Sequence, residues 1–164
     1  METKFFILLI ILFCNLSSYS QENKIITANQ RAQCVFGEFG GNGLMFSANY
    51  DLRFTKKQNG FGARAGLGFF ITIFGGGLTV PIGINYLAGK RSHYLEAGLG
   101  ATILTLESFT LFGEDVNTSA VAFVPSVGYR YQPLQNGFTG RIFVSPFISD
   151  GSVFWAGVSA GYKF

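Results

Sequence analysis

The sequence predicts an all-β protein, a single eight-stranded, antiparallel, up-and-down transmembrane β-barrel. Three observations predict this fold class. Strand-length segments alternate apolar and polar side chains, turn residues separate these segments, and no stretch beyond the N-terminal segment has the roughly 18 consecutive apolar residues of a membrane helix. The composition agrees, because 19 Phe and 22 Gly accompany only 13% charged residues, against a usual share of about 25%. Backbone polar groups in hydrocarbon must be paired, so strands cross a membrane only as a closed barrel.

The N-terminus predicts export. Residues 1–20 have the pattern of a cleaved secretory signal peptide, with a basic residue, an apolar run and small residues before the cut. A retained membrane helix is the alternative, but the apolar run is about half the roughly 20 residues that span a bilayer. We expect residues 21–31 to be a periplasmic N-terminal lead and residues 32–164 to be the barrel. The cleaved chain keeps Cys34 as its only cysteine, so no intramolecular disulfide is expected.

The first four strands are expected at residues 32–40, 43–54, 60–74 and 77–89. Glycine-rich or basic turns follow them at residues 40–43, 56–60, 75–77 and 89–92. Every second residue of a strand lies on the same face, and we call these two alternating sets the parities of the strand. The more apolar parity of the second, third and fourth strands comprises Leu44, Phe46, Ala48, Tyr50, Leu52, Phe54, Phe61, Ala63, Ala65, Leu67, Phe69, Ile71, Ile73, Leu78, Val80, Ile82, Ile84 and Tyr86. No charged residue occupies that parity, which predicts a face in contact with lipid.

The last four strands are expected at residues 92–106, 120–132, 137–149 and 153–164. The lipid-facing parity of the fifth strand comprises Leu95, Ala97, Leu99, Ala101 and Ile103. The eighth strand alternates most clearly, with Phe154, Ala156, Val158, Ala160, Tyr162 and Phe164 on one face and Trp155, Gly157, Ser159, Gly161 and Lys163 on the other. Short turns are expected at residues 133–137 and 150–152. One longer acidic connection, residues 107–119, breaks the alternation.

An even number of strands places both termini at one end of the barrel, and bacterial barrels keep that end in the periplasm. The long acidic connection then faces outward, as is usual for such barrels. Aromatic residues occupy the lipid-facing positions nearest the periplasm, as expected where membrane meets water: Phe54, Phe61, Tyr86, Tyr131, Phe138, Tyr162 and Phe164. We therefore predict the bacterial outer membrane, with both termini periplasmic. A soluble lipocalin-like barrel is the alternative and reverses the two faces.

The inward parity collects nearly every strand charge, namely Glu38, Asp51, Arg53, Arg64, Glu96, Arg130 and Arg141, with the polar residues Asn49, Thr72, Asn85, Ser126, Gln132 and Thr139. An eight-stranded barrel has an interior only wide enough for side chains to fill. We therefore expect the carboxylates and guanidinium groups to form a polar network that plugs the lumen and holds the strand register. A gated conduit or a small-anion site is the alternative, because the network has one positive charge in excess.

The sequence offers little catalytic chemistry. His93, the sole histidine, adjoins Ser92 and precedes Glu96 by three residues, so the triad of a lipid-modifying enzyme is conceivable. Neighbouring strand residues point to opposite faces, however, so Ser92 and His93 diverge. No metal-ligand spacing, phosphate-binding loop or cysteine pair occurs, so no catalytic residue, metal or cofactor is expected. The net charge of +3 is too small and dispersed to predict a nucleic-acid partner.

Two kinds of connection remain. The basic pairs at residues 56–57 and 90–91 are expected to be solvated, or to meet anionic headgroups or the cell wall. The long connection contributes the extracellular loop residues Glu107, Phe109, Phe112, Glu114 and Asp115. Its apolar content exceeds what a connector requires, so we expect a lid over the barrel mouth. Contact with an unknown extracellular partner is the alternative.

The segments EFGGNG (38–43), FSANYD (46–51), PIGINYLAGK (81–90), LEAGLG (95–100) and GYRY (128–131) resemble small outer-membrane barrel proteins of Bacteroidota. The resemblance covers essentially the whole chain after the signal peptide. It implies contact with outer-membrane lipid, and Tyr162 with the terminal Phe164 resembles the signal read by the barrel-assembly machinery. Such proteins mostly lack an assigned function, so no activity is implied. We expect a structural or interaction role through the extracellular loops, with a narrow transporter or hydrophobic-ligand conduit as the second hypothesis and a lipid-modifying enzyme as the third.

Overall fold

The computed structural model describes residues 31–72, 75–108, 116–148 and 152–164. They form a closed barrel of antiparallel strands in sequence order, in which the last strand pairs with the first. The strands are β1 (Gln33–Gly40), β2 (Phe46–Arg53), β3 (Gly60–Thr72), β4 (Gly75–Lys90), β5 (His93–Ser108), β6 (Val116–Tyr131), β7 (Gly137–Ile148) and β8 (Ser152–Lys163). The predicted fold class is confirmed. The predicted signal peptide and all but the last residue of the predicted lead lie outside the described residues.

Two predicted connections are wrong in extent. Residues 75–77, predicted as a turn, begin β4 and pair with residues 70–72 of β3. Likewise β5 and β6 extend toward each other, with Glu107 opposite Asn117 and Ser108 opposite Val116. The connection expected at residues 107–119 is therefore reduced to residues 109–115. In both places the ladder satisfies backbone N–H and C=O groups beyond the point where side-chain alternation indicates a strand.

The connections lie at the two ends of the barrel. We name one the terminal end: it carries both chain termini and the connections at residues 54–59, 91–92 and 132–136. At this end the backbones of Gln33 and Phe164 exchange hydrogen bonds of 2.9 and 3.3 Å, which closes the seam between β8 and β1. We name the other the loop end: it carries the connections at residues 41–45, 73–74, 109–115 and 149–151.

The outer face of the barrel is apolar. Its exposed aromatic side chains form one row near the terminal end, comprising Phe54, Phe61, Tyr86, Tyr131, Phe138, Tyr162 and Phe164. A second exposed row, absent from the sequence prediction, lies toward the loop end and comprises Phe39, Phe46, Phe69, Phe123 and Phe154. Within it the ring centroids of Phe39 and Phe46 are 4.9 Å apart, and those of Phe46 and Phe69 are 5.7 Å apart. Aliphatic side chains cover the outer face between the rows.

Between β1 and β2 the chain turns into the barrel. A short 3-10 helix, Gly41–Gly43, is buried there, and no helix among the described residues is long and apolar enough to cross a membrane. The prediction that Leu44 faces outward is wrong, because β2 begins only at Phe46. Leu44 has a φ of 68° and packs against the inner cluster of Ala122, Val124 and Phe147.

Thr72, predicted on the inner face, lies at the loop end of the barrel. Thr72 is exposed, and its hydroxyl donates to the carbonyl oxygen of Gly75 over 2.9 Å. The two residues are the last pair of the β3–β4 ladder.

Candidate functional site in the barrel lumen

All seven charged residues predicted for the lumen lie on the inner face of the barrel. Their exposed fractions run only from 0% to 6%, and the residues are Glu38, Asp51, Arg53, Arg64, Glu96, Arg130 and Arg141. They come from β1, β2, β3, β5, β6 and β7. Strand alternation directs each side chain inward, and closure of the barrel brings the side chains of distant strands together.

The seven side chains form one chain of alternating charge. Its order is Arg53, Asp51, Arg130, Glu96, Arg141, Glu38, Arg64. The N···O distances are 2.5 Å for Arg53–Asp51, 3.2 Å for Arg130–Asp51, 2.7 Å for Arg130–Glu96, 2.8 Å for Arg141–Glu96 and 4.0 Å for Arg64–Glu38, and Arg141 also contacts Glu38 closely. We call this arrangement the charge chain. Each of its interior members has an opposite charge on both sides.

Asn85 on β4 forms hydrogen bonds with three members of the charge chain. Its Nδ2 donates to Asp51 Oδ2 over 2.6 Å and to Glu96 Oε1 over 3.3 Å. Its Oδ1 accepts a hydrogen bond from Arg53 Nη2. One neutral side chain thereby links two carboxylates and satisfies lone pairs that the arginines leave free, as buried polar groups require.

The charge chain ends at Arg64, which is its least compensated member. Arg64 Nη1 is 4.0 Å from Glu38 Oε2 and has no hydrogen-bond partner among the described residues. The same Oε2 accepts a hydrogen bond from Arg141. The Arg141 guanidinium also lies 4.0 Å from the centroid of the Phe143 ring, within the range of a cation–π contact. Glu38 therefore pairs chiefly with Arg141, and the excess positive charge is located at Arg64.

Backbone from the β1–β2 connection closes the lumen next to Glu38. Glu38 Oε1 accepts a hydrogen bond from the Asn42 N–H over 3.0 Å. The Thr102 hydroxyl donates to the Asn42 carbonyl over 2.7 Å, and the Thr79 hydroxyl donates to the Gly43 carbonyl over 3.0 Å. These bonds satisfy a segment that is buried away from water. The connection therefore plugs the barrel toward the loop end.

Polar side chains close the terminal end of the lumen. The buried Lys163 Nζ donates to the three consecutive carbonyl oxygens of residues 133–135 over 2.9, 2.8 and 3.3 Å. Gln132 Nε2 reaches Gln58 in the β2–β3 connection over 3.3 and 3.4 Å. The thiol of the buried Cys34 donates weakly to Gln132 Oε1 over 3.7 Å. These contacts draw two connections across the lumen mouth.

The arrangement is suited to holding strands together. Ion pairs in a low-dielectric interior are strong only when every charge keeps its partners, because each charge has lost its hydration. Every member of the charge chain has an opposite charge within 3.2 Å except Arg64, whose N···O distance to Glu38 is 4.0 Å. Among the described residues, charged side chains cross the middle of the lumen and the buried backbone of the β1–β2 connection lies across one end.

The residues considered for a catalytic triad do not come together. His93 is exposed on the outer face, where its Nδ1 lies 2.5 Å from the hydroxyl of Tyr129. Glu96 lies in the lumen, bound by Arg130 and Arg141. The wall of the barrel therefore separates the histidine from the carboxylate.

The remaining predicted residues lie at the two ends. Tyr162 and Phe164 are both exposed on the outer face at the terminal end, and Tyr162 pairs with Val35 and Phe138 on the neighbouring strands. Glu107, predicted in the extracellular loop, lies in β5. The other predicted loop residues lie outside the described residues, namely Phe109, Phe112, Glu114 and Asp115.

Sequence reasoning missed two groups that close the lumen. The sequence predicts an ordinary turn at Asn42, although the glycines on both sides of it permit a buried, sharply bent backbone. The predicted network does not include Lys163, although this residue lies on the inner face of β8. A lysine among the inner glycines and serine of that strand is the signal that would have found it.

No known protein family matches the sequence, and no curated protein matches it. The fold is similar to the crystal structure of the N-terminal β-barrel domain of Pseudomonas aeruginosa OprF, with a TM-score of 0.64 and 11% identity over 83% of this chain and 98% of that chain. It is also similar to the Yersinia pestis outer membrane protein Ail in a phospholipid bilayer nanodisc, with a TM-score of 0.54 and 14% identity over 82% of this chain and 100% of that chain. At such low identities the similarity establishes the fold, a small closed β-barrel.

Proposed function

We propose that this protein is an outer-membrane β-barrel with a closed lumen, and that it acts as a scaffold presenting its loop end for a structural or interaction role. One observation carries the proposal: the apolar side chains lie outside and the charged side chains lie inside. An exposed apolar surface of this extent is unstable in water and stable in lipid. A soluble barrel that carries ligands requires the reverse distribution.

The two exposed aromatic rows support placement in a membrane. Aromatic side chains favour the two interfaces between hydrocarbon and water, and the rows lie toward opposite ends of the barrel. The structure of Ail in a phospholipid bilayer nanodisc provides a similar fold in such a setting. We infer that the terminal end is periplasmic, because bacterial barrels with an even strand count keep their termini there.

Biogenesis follows from the same location. We infer that the exposed Tyr162 and Phe164 at the end of β8 are read by the barrel-assembly machinery, whose recognition signal they resemble. The loop end, whose longest connection includes Phe109, Glu114 and Asp115, then faces the exterior. An extracellular partner would meet the protein there.

The closed lumen supports a scaffold rather than a channel. The charge chain crosses the interior, and the β1–β2 connection and Lys163 close its two ends. We expect no steady conductance when the purified protein is inserted into planar bilayers.

Electrophoresis of outer-membrane fractions tests the proposal. Closed barrels resist detergent until heated, so we expect the unboiled protein to migrate differently from the boiled protein. A soluble protein with the same mobility in both samples would overturn the membrane proposal. A steady conductance from a protein that does show the shift would overturn only the closed lumen.

A narrow conduit for small anions is the second candidate, and the incompletely paired Arg64 favours it. This candidate requires a conductance that selects anions, measured from the reversal potential in a salt gradient. It also requires that Arg64→Met abolish the anion selectivity. The absence of conductance in the bilayer would reject the conduit, as would anion selectivity that persists in the Arg64→Met variant.

A further inference from the structure

The connections at the two ends of the barrel differ in charge. Those at the terminal end, together with Lys90 beside them, contain Lys56, Lys57, Lys90 and Arg91 and no acidic residue. Those at the loop end contain Glu114, Asp115 and Asp150 and no lysine or arginine. The terminal end therefore presents positive charge to its surroundings.

The acidic side chains that the structure describes lie inside the barrel, away from Lys90 and Arg91. Among the residues whose burial the structure describes, the acidic side chains are Glu38, Asp51 and Glu96, and all three are buried in the lumen and paired with arginines. The bases are exposed, whereas these acids are enclosed by the barrel wall. An anion from outside the protein would meet the bases without competition from them.

The β4–β5 turn carries Lys90 on the outer face of the barrel. It has only two residues, so the strands continue to its edge, with Lys90 opposite His93 and His93 opposite Tyr131. All three side chains are exposed on the outer face. The His93 ring stacks on Tyr129 with a centroid distance of 6.0 Å. Lysine and aromatic side chains therefore share one patch at the edge of the apolar surface, where lipid headgroups lie.

The other basic turn is placed differently. Its Gln58 accepts hydrogen bonds from Gln132, which draws the connection at residues 54–59 beneath the lumen mouth. Lys56 and Lys57 thus belong to a segment that bends toward the barrel axis. This turn provides a matched comparison, with the same charge at the same end of the barrel.

The backbone of the β4–β5 turn is held in place from within. Arg91 has a φ of 62°, a left-handed conformation in which glycine is usual, as at the first central residue of a type II′ turn. The buried Tyr94 hydroxyl donates to the Arg91 carbonyl over 2.6 Å, and the Gln132 N–H donates to the Ser92 carbonyl over 2.9 Å. An arginine thus occupies a position where glycine would fit with less strain, on a turn that is already ordered. An ordered site loses less entropy when it binds a ligand.

We propose that Lys90 and Arg91, flanked by His93 and Tyr129, bind the phosphate headgroup of an anionic phospholipid in the leaflet at the terminal end. The proposal rests on the membrane location argued above. The two cations supply the charge for the phosphate, Tyr129 and His93 supply hydrogen-bonding groups beside it, and the apolar outer face accommodates the acyl chains. Lys56 and Lys57 lie outside this site.

Native mass spectrometry tests the proposal on the full barrel released from mixed phosphatidylglycerol and phosphatidylcholine bilayers. A basic residue at a membrane surface favours an anionic lipid by about fivefold, so we expect the wild type to retain phosphatidylglycerol over phosphatidylcholine by at least about that factor. The test variant is Lys90→Gln with Arg91→Asn, because asparagine tolerates the left-handed backbone. We expect it to retain the two lipids nearly equally.

The matched control is Lys56→Gln with Lys57→Gln, which should keep the wild-type preference. Equal retention of the two lipids by the wild type would overturn the site, as would an unchanged preference in the Lys90 and Arg91 variant. An equal loss in the control would also overturn it, because the preference would then reflect the total charge of that end.

Failure to insert into bilayers, or absence of the heat-dependent shift, would instead reject the membrane location itself. An unfolding temperature of the test variant no lower than that of wild type separates lost binding from lost folding.

Discussion

Arg130 and Asp51 meet inside the barrel at 3.2 Å, although three strands separate β6 from β2 in either direction around the closed sheet. They therefore come from opposite walls, and their ion pair crosses the lumen. A hydrogen-bonded sheet fixes the distance between adjacent strands only. The Arg130–Asp51 pair also fixes the width of the barrel, so widening the lumen would separate two charges that are buried from water.

The most damaging single substitution should be Glu96→Ala. It leaves Arg130 and Arg141 each without one of their carboxylate partners, and breaking a buried ion pair costs about 3 to 5 kcal/mol. The measurement is urea unfolding of the barrel in detergent. It is monitored by electrophoresis without boiling, as the loss of the band of the folded protein. Thr105→Ala, at an exposed position on the same strand, is the control and should change the free energy of unfolding by less than about 0.5 kcal/mol. An unchanged transition for Glu96→Ala would remove Glu96 from the network.

Arg64→Met should be tolerated, in contrast to Arg130→Met. Arg64 has one distant ionic partner and an unsatisfied Nη1, so its removal should change the free energy of unfolding by no more than about 1 kcal/mol. Arg130 donates to both Asp51 and Glu96, and its loss should cost about 2 to 3 kcal/mol. Urea unfolding of the two variants side by side makes the comparison. Equal destabilisation would mean that Arg64 has partners beyond those described.

Lys163→Met should loosen the terminal end. The three carbonyl oxygens of residues 133–135 lose a charged donor, and hydrogen bonds to charged groups contribute about 1.5 to 3 kcal/mol. We expect a loss of about 2 kcal/mol in the free energy of unfolding, and faster cleavage of the β6–β7 connection by added protease. Lys57→Met is the control for charge, since that exposed side chain should change the free energy by less than about 0.5 kcal/mol. Protease resistance equal to wild type would show that Lys163 does not hold the connection.

Two glycines on the same part of the chain should respond in opposite ways to alanine. A Cβ at Gly41 would collide with the Phe143 ring, and the φ of 76° there disfavours a side chain by about 1 to 2 kcal/mol before any collision. A Cβ at Gly37 meets nothing within 4 Å, so Gly37→Ala should be neutral or stabilising by about 0.5 kcal/mol. The melting temperatures of the two variants, compared with that of the wild type, test this difference. If Gly41→Ala melts at or above the wild-type temperature, the buried turn is not held as described.

The barrel could be predicted because strand alternation is a local property. A lipid-facing residue such as Leu99 and an inward residue such as Glu96 differ in parity, which the sequence displays without any knowledge of distant contacts. The order of the charge chain could not be predicted in the same way. Parity gives the face of a side chain, whereas the pairing of Arg141 with Glu38, 103 positions apart, depends on the register with which the barrel closes.

The inward turn at Leu44 escaped prediction for a different reason. Its position depends on hydroxyls of Thr79 and Thr102, which lie on strands well downstream and hold the carbonyls of Gly43 and Asn42. Parity counted from the neighbouring strand assigns Leu44 to lipid, because counting assumes an uninterrupted ladder. The glycines at positions 40, 41 and 43 allow the interruption, but glycine also permits an ordinary hairpin turn.

The charge chain has an odd number of members and begins and ends with arginine. Deleting an interior arginine therefore divides it into two electrically neutral fragments, whereas deleting any carboxylate leaves two fragments that each carry net positive charge. A neutral fragment can remain in a dry interior, but a cationic one must find a counter-ion or water. Sequence drift in this barrel would accordingly lose an arginine before it lost a carboxylate, and a lost carboxylate would persist only together with a second loss among the arginines.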